Sequence, residues 1–345
     1  MASVAEYKGR LQGLNPDDAS ESILQENPDR YCMFPVKYDS VWRDFKKTET
    51  TFWTAEDVDL SRDPADWHSL SEAQRATLSS CLAFLLTADS LLLENLVLRF
   101  LVDVEQPEAR AFYSFQAFKQ NIHSEALGGL LSVLMPEEQQ QAALFRKMRA
   151  NPLMQRKVEW AKCWLLSDRP FGERLVALAA VESTFSCTSF VCFFAMKRQE
   201  LLPGLSFTND MISRDEGINV EFAGTIYLEL KNRLSQERLR EILEEAVAVA
   251  KDFAGPEGIN TEAVGLRKDD MDMYIEFVAD QLATTLGHEK LFKAANPFGW
   301  LETIALQGKG SKLQSLQSKD ANMSMAGVLK QVEANSYTLA FDEDF

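Results

Sequence analysis

The sequence predicts an all-α protein, on three observations. No stretch of any length alternates apolar and polar residues with the period of two that a half-buried strand needs. Long runs free of proline and glycine carry apolar residues at helical spacing, from Gln74 to Leu101 and from Glu108 to Ala126. There is also no internal repeat of 20–50 residues and no glycine-rich phosphate loop, which sets aside solenoids and nucleotide-binding α/β folds.

The elements follow in order. Residues 1–25 read as a mobile arm, and Asn27–Pro35 as a loop packed on the body. Tyr38–Thr51 predicts a helix with Val41, Trp42 and Phe45 on one face. Thr54 with Asp57 resembles a capping box, with Asp in place of the usual Glu. Ser69 or Ser71 caps the next helix, Gln74–Leu101, which is apolar nearly all round and so belongs in a bundle interior. Glu108–Leu134, Pro136–Arg149 and Pro152–Leu166 follow. Pro170–Lys197 is a second interior helix, ended by Pro203-Gly204, and Asn209 or Ser213 begins a helix to about Leu234. Gln236–Phe253 and Lys268–Thr285 complete the body. The expected domains are therefore an arm over 1–25, a helical domain over 26–306 and a tail over 307–345. That tail is rich in Gly, Ser, Gln and Lys and ends in aromatic and acidic residues.

Charge and cysteines narrow the function classes. A net charge of −16 argues against nucleic-acid and anionic-membrane partners, which want a basic face, and solubility accounts for it. The apolar run Phe84–Leu101 is interrupted by Asp89, Glu94 and Arg99, against a membrane span. Five cysteines form no Cys-x-x-Cys pair, and Cys187 and Cys192 read as buried reduced thiols. With no signal-peptide core near the start, the expected location is cytoplasmic.

One spacing carries chemistry. Gln120 and His123 are three apart, as are Glu216 and Asn219, so each pair shares a helix face. Helical bundles that hold a di-iron or di-manganese centre use two Glu-x-x-His pairs and a lone carboxylate from each of two further helices. Each pair here keeps half of that pattern.

These stretches together resemble the small, radical-generating subunit of class I ribonucleotide reductase, of the eukaryotic type. The resemblance runs from Asn27 to Phe345. It rests on Met33-Phe34-Pro35-Val36-Lys37-Tyr38, the nine residues from Phe52 to Leu60, Phe112-Tyr113-Ser114-Phe115-Gln116, Ser213-Arg214-Asp215-Glu216-Gly217 and Asn296-Pro297-Phe298. It implies a ferritin-like helical bundle, dimeric, whose metal pair makes a tyrosyl radical that is sent to a large subunit for deoxyribonucleotide synthesis.

Carried over by position, the ligands Asp89, His123, Glu182 and Glu216 are retained, while Gln120 and Asn219 replace a glutamate and a histidine. Leu127 stands where the radical tyrosine is expected and has nothing to oxidise. The radical-transfer relay matches at Trp53 and Asp215; its tail tyrosine aligns loosely with Asp320, leaving Tyr337 as the only tyrosine in the tail. An amide brings no charge to a cation and Asn cannot replace imidazole, so a di-iron centre is not expected. Either one iron or manganese ion, near Asp89, His123 and Glu216, or no metal is.

The reading is a radical-deficient small subunit that supports a metal-loaded small subunit in a heterodimer, with pairing through interior-type helices such as Gln74–Leu101. Its other partner is the large subunit, gripped by Leu339, Phe341 and Phe345 among the terminal acids. The alternatives are self-pairing, a radical source with a single-metal or otherwise unusual cofactor, and a ferritin-like scaffold outside the pathway.

Overall fold

The computed structural model of the chain describes residues 18–95 and 99–301, and of residues 89, 91–93 and 95 the helical backbone alone. The tail positions Asp320, Tyr337, Leu339, Phe341 and Phe345 and the side chain of Asp89 lie outside the described residues. The chain divides into two units, Met1–Pro297 and Phe298–Phe345. In the second, the described residues start a helical turn, with Leu301 N–H donating to the Phe298 carbonyl at 2.8 Å.

Among the described residues of the first unit every regular element is helical: α1 (Asp39–Glu49), α2 (Asp63–Ser69), α3 (Glu72–Asn95), α4 (Pro107–Leu134), α5 (Glu138–Ala150), α6 (Pro152–Leu165), α7 (Phe171–Ala180), α8 (Cys187–Arg198), α9 (Pro203–Glu229), α10 (Gln236–Phe253) and α11 (Lys268–Thr285). Four of them close a ring: α3 packs on α4, α4 on α9, α9 on α8 and α8 back on α3. Helices α1 and α11 pack on its outside, and α10 packs on α6, α7 and α11. The side chains of α3 from Leu78 to Leu85 that face inward are wholly buried, as the lack of a polar stripe predicts.

Several helix starts agree with the sequence to the residue. Ser71 and Gln74 form a reciprocal capping box at α3, with N–H to oxygen distances of 2.9 and 3.2 Å. Ser235 accepts from Arg238 N–H at 3.1 Å to start α10. Thr54 N–H donates to Asp57 Oδ2 at 3.0 Å, holding a single 3₁₀ turn rather than a full helix. The expected interior helix over Pro170–Lys197 is α7 and α8 joined by a π turn, Val181–Phe185. By length and composition, Phe171–Arg198 could cross a membrane, but 94% of its apolar window is buried inside the protein, so it is a core helix.

Three expectations are corrected. Pro203-Gly204 does not end a helix but begins α9, six residues before Asn209. The cap comes from far away in sequence: the Asp63 carboxylate accepts from Gly204 N–H and Leu205 N–H at 2.8 Å each. Leu202, with φ of 53°, is held in the left-handed region by donating its N–H to Asp66 at 2.9 Å. Gly204 is required there, since a Cβ would stand 2.7 Å from the Asp59 carbonyl. Second, part of the expected arm is packed. Ile23 is buried, and Glu21 accepts from Lys231 and Asn232 N–H at 2.8 and 2.7 Å. Third, in the Asn27–Pro35 loop Tyr31 and Phe34 are exposed, although Asn27 N–H anchors it to Glu105 at 2.8 Å.

Lys157 of α6 secures the π turn. A π turn leaves carbonyls outside the ordinary ladder, and Lys157 Nζ donates to the Phe185 carbonyl at 2.8 Å. Its ammonium also lies 4.2, 4.9 and 4.3 Å from the ring centroids of Phe84, Phe185 and Phe253. Burial pulls its pKa down from 10.5 to about 7 against the opposing pull of Cys187 and Cys81. The unfolded chain binds this proton below pH 10.5 and the folded chain only below about 7. The resulting penalty is absent above the unfolded pKa, grows as pH falls and is complete below the folded one. Stability therefore rises with pH across that window, and Lys157→Met should flatten the rise. Urea midpoints of both proteins between pH 7 and 10 check this; parallel slopes would show Lys157 protonated throughout.

Candidate functional site

Helix α4 places Gln116, Gln120, His123 and Leu127 on one buried face, at spacings of four, three and four. Helix α9 faces it with Asp215, Glu216 and Asn219, all buried. The π turn after α7 presents Glu182, also buried, and Trp53 comes from the loop after α1, 5% exposed. The structure thus brings six predicted positions, Trp53, Gln120, His123, Asp215, Glu216 and Asn219, into one cluster. Asp89 lies on α3, with its side chain outside the described residues.

Each retained glutamate is met by a primary amide. Gln120 Nε2 donates to Glu216 Oε1 at 3.0 Å, and Asn219 Nδ2 to Glu216 Oε2 at 3.5 Å. Gln116 Nε2 donates to Glu182 Oε1 at 2.5 Å. A buried carboxylate left with no donor is costly, so these amide hydrogens do what a cation does elsewhere. His123 turns Nε2 to Asp215 Oδ2 at 3.2 Å and has Nδ1 3.5 Å from Glu216 Oε1.

Asp215 is the most heavily engaged group. Its Oδ2 accepts from Trp53 Nε1 at 2.8 Å and lies beside His123, while Lys119 Nζ stands 2.7 Å from Oδ1. Arg214 reaches the same Oδ1 through Nε at 3.3 Å and Nη2 at 3.1 Å. Burial pushes the Asp215 carboxyl up, but the His123 hydrogen bond and the charges of Lys119 and Arg214 outweigh it, bringing the pKa to about 2. Trp53 stacks on His123 with ring centroids 6.0 Å apart. The two expected relay positions, Trp53 and Asp215, are therefore in contact with each other and with the expected ligand His123.

Leu127 is buried at the tyrosine position and offers no redox chemistry. The nearest tyrosine on the helix, Tyr113, is wholly enclosed. Burial, and secondarily the charge of Glu182, push its phenol up, and its hydroxyl has no hydrogen-bond partner among the described residues.

Among the described residues, the donor set does not fit a pair of metal ions. Both His123 ring nitrogens face carboxylates, and the oxygens of Glu216 face amide N–H groups. No three His, Cys, Asp or Glu side chains among the described residues converge as metal ligands. Sequence reasoning missed Lys119 and Thr48, which accepts from Lys119 at 3.3 Å, and used Gln116 and Arg214 only as parts of matching blocks. The 116, 120, 123 spacing of polar groups on an apolar helix could have found Gln116. Nothing local marks Lys119.

The comparisons agree with this architecture. The family model described as "Ribonucleotide reductase, small chain" matches residues 30–297. The chain is 41% identical to the ribonucleoside-diphosphate reductase small chain of Nicotiana tabacum, over 94% of this chain and 98% of that protein. It is 40% identical to subunit M2 of Macaca fascicularis, over 96% and 84% respectively. Among solved structures, the Rnr4 homodimer of Saccharomyces cerevisiae superposes with a TM-score of 0.78 at 29% identity, covering 88% of this chain and 97% of that one. The ferritin-like bundle is thereby identified.

Gln120→Glu alone should place a second carboxylate against Glu216 and cost roughly 1–3 kcal/mol of stability, measured by urea unfolding. Joined with Asn219→His, it should raise bound manganese or iron, by elemental analysis, above either single change. A double variant with no more metal than the wild type would contradict the amide-for-cation account.

Proposed function

The chain belongs to the ribonucleotide reductase small-chain family, and we propose that it is a radical-deficient member that supports a metal-loaded small subunit within the reductase. The observation that carries the proposal is the meeting of Glu182 and Glu216 by amides where paired ions need converging ligands, with Leu127 in the tyrosine position. The trio of Trp53, Asp215 and His123 then serves as scaffold. A cytoplasmic location accompanies this reading, in keeping with the free state of the buried Cys81, Cys187 and Cys192.

Pairing with a second small chain needs a face, and α3 does not supply one in its described part: its apolar side chains are used inside the bundle. Helices α1 and α4 do. Phe34, Phe52 and Phe118 are 69%, 45% and 50% exposed. They join Trp42, Phe45 and Phe115 in a run of aromatic rings whose neighbouring centroids lie 5.4 to 6.5 Å apart. Such a patch marks a protein-binding surface. The Saccharomyces cerevisiae relative is a homodimer, and a competent small chain offering the same aromatic face is the partner this reading requires.

Purified protein should hold less than one transition-metal ion per chain, by elemental analysis, and show no tyrosyl signal in electron paramagnetic resonance after oxygen exposure. Two firmly held ions per chain would remove the basis of the proposal. Co-purification should recover a related chain with the full ligand set and a radical tyrosine. Phe52→Asp with Phe118→Asp should weaken that association by tenfold or more in sedimentation experiments. An unchanged association would place the contact elsewhere.

The tail proposal is separate. Leu339, Phe341 and Phe345, set among Asp342, Glu343 and Asp344, suit a peptide that docks on the large subunit. Deleting Tyr337–Phe345 should weaken large-subunit binding at least tenfold and leave the melting temperature unchanged. Equal binding by the truncated chain in a titration would make the tail a bystander.

A further inference from the structure

Four deeply buried basic side chains stand among the described residues: Arg99, Lys119, Lys157 and Arg174. Arg174 pairs with Asp103 at 2.6 Å, and Arg99 and Lys157 donate to main-chain carbonyls. Lys119 is the one at the core site. Its side chain is 3% exposed, and its ammonium lies 2.7 Å from an Asp215 oxygen that is itself out of solvent. It also donates to Thr48 Oγ1 at 3.3 Å and lies 5.8 Å from the Phe115 ring centroid. Lysine is among the residues least often buried, and a buried lysine persists where a paired carboxylate offsets its desolvation.

The placement matters. Lys119 precedes Gln120 on α4, and Asp215 precedes Glu216 on α9. The ion pair therefore runs between the same two helices as the Gln120–Glu216 hydrogen bond, one position earlier in each. Lys119 approaches Asp215 through Oδ1, while Trp53 and His123 hold Oδ2. With Arg214 also on Oδ1, all four lone-pair positions of the carboxylate have a partner. A metal ion supplies positive charge to such a core in exchangeable form; a lysine supplies it covalently.

We propose that Lys119 is a fixed internal cation of the core site, which clamps α4 to α9 through Asp215 and holds the Trp53–Asp215–His123 chain as a static brace independent of any metal ion. Lys119 is a positioning residue: it acts on Trp53 through Asp215. The clamp extends the proposed radical-deficient role, and metal analysis of the same preparations tests that role separately.

The experiment is a double-mutant cycle on the full chain: Lys119→Met, Asp215→Asn and the pair together, unfolded in urea with chelator and again with added manganese. Methionine keeps much of the stem, so its effect reads the charge. Asp215→Asn leaves the buried Lys119 ammonium without its counter-charge, and Lys119→Met leaves Asp215 with Arg214, which is partly exposed, as its nearest full charge; each should lower the folding constant by about tenfold or more. The double variant should lose far less than the product of the singles, Lys119→Arg should recover part of the loss, and manganese should restore none of it. If Lys119→Met fails to fold, folding of the double variant still supports the clamp, and its failure overturns it. Independence of the two changes, or recovery by manganese, also overturns it. A second readout separates clamping from packing. With ¹⁵N-labelled indoles, the Trp53 resonance, identified by its loss in Trp53→Phe, should shift in Lys119→Met and exchange faster with solvent. An unmoved Trp53 signal would rule the brace out.

Discussion

The Asp215 carboxylate accepts from Trp53, meets His123 and is flanked by the charges of Lys119 and Arg214. Through those groups it gathers the loop after α1, the middle of α4 and the middle of α9. Arg214 extends the reach by donating to the Thr51 carbonyl at 2.6 Å, and Lys119 by donating to Thr48 at the end of α1. A carboxylate inside an apolar bundle is stable only when its oxygens are met by donors. Meeting Trp53 from the loop after α1 and two groups a turn apart on α4, Lys119 and His123, fixes the rotation of both helices about their axes. The faces that carry Gln120, His123, Glu216 and Asn219 follow from that rotation.

The neighbouring glutamates obey the same constraint by another route. Glu182 and Glu216 are met by the amides of Gln116, Gln120 and Asn219. An amide offers two N–H donors and no net charge, so it stabilises an anion already present without drawing in a cation. In this family a metal pair draws its ligands together; here the amides leave each glutamate with its own local partner. Under the proposed radical-deficient role, a bundle with such a core keeps its architecture while the redox chemistry passes to another chain, and the exposed rings of Phe34, Phe52 and Phe118 are the face such pairing would use.

Acidic residues serve a wider structural role than solubility. Asp63 starts α9, and Glu21 holds the chain just past its end. Glu108 accepts from the N–H groups of Lys37 and Tyr38, and Asp280 from those of Leu291, Phe292 and Ala294. In each case a carboxylate answers main-chain donors that a helix end or loop leaves open. The charge of −16 is thus partly a set of internal anchors, and the reading of that charge as solubility alone was incomplete.

The sequence by itself determined the helical class, most helix boundaries and the face of α4, because periodicity and capping are local and a residue's neighbours within one turn decide them. Ser71, one of the two caps expected for α3, the start of α10 at Gln236, and the spacing of Gln120 to His123 all read correctly for that reason. Resemblance added the positions of Trp53, Glu182 and Asp215. Tertiary structure alone decided what partners the buried charges have. The start of α9 was misplaced because its cap, Asp63, lies 141 residues before Gly204. The π turn at Glu182 was invisible because one helical sequence supports both ladders until packing, with Lys157 on the Phe185 carbonyl, selects between them. Nothing in the sequence around Lys119 sets it apart from other helical lysines. Only the approach of α9, which brings Asp215 within 2.7 Å of its ammonium, makes it a component of the core.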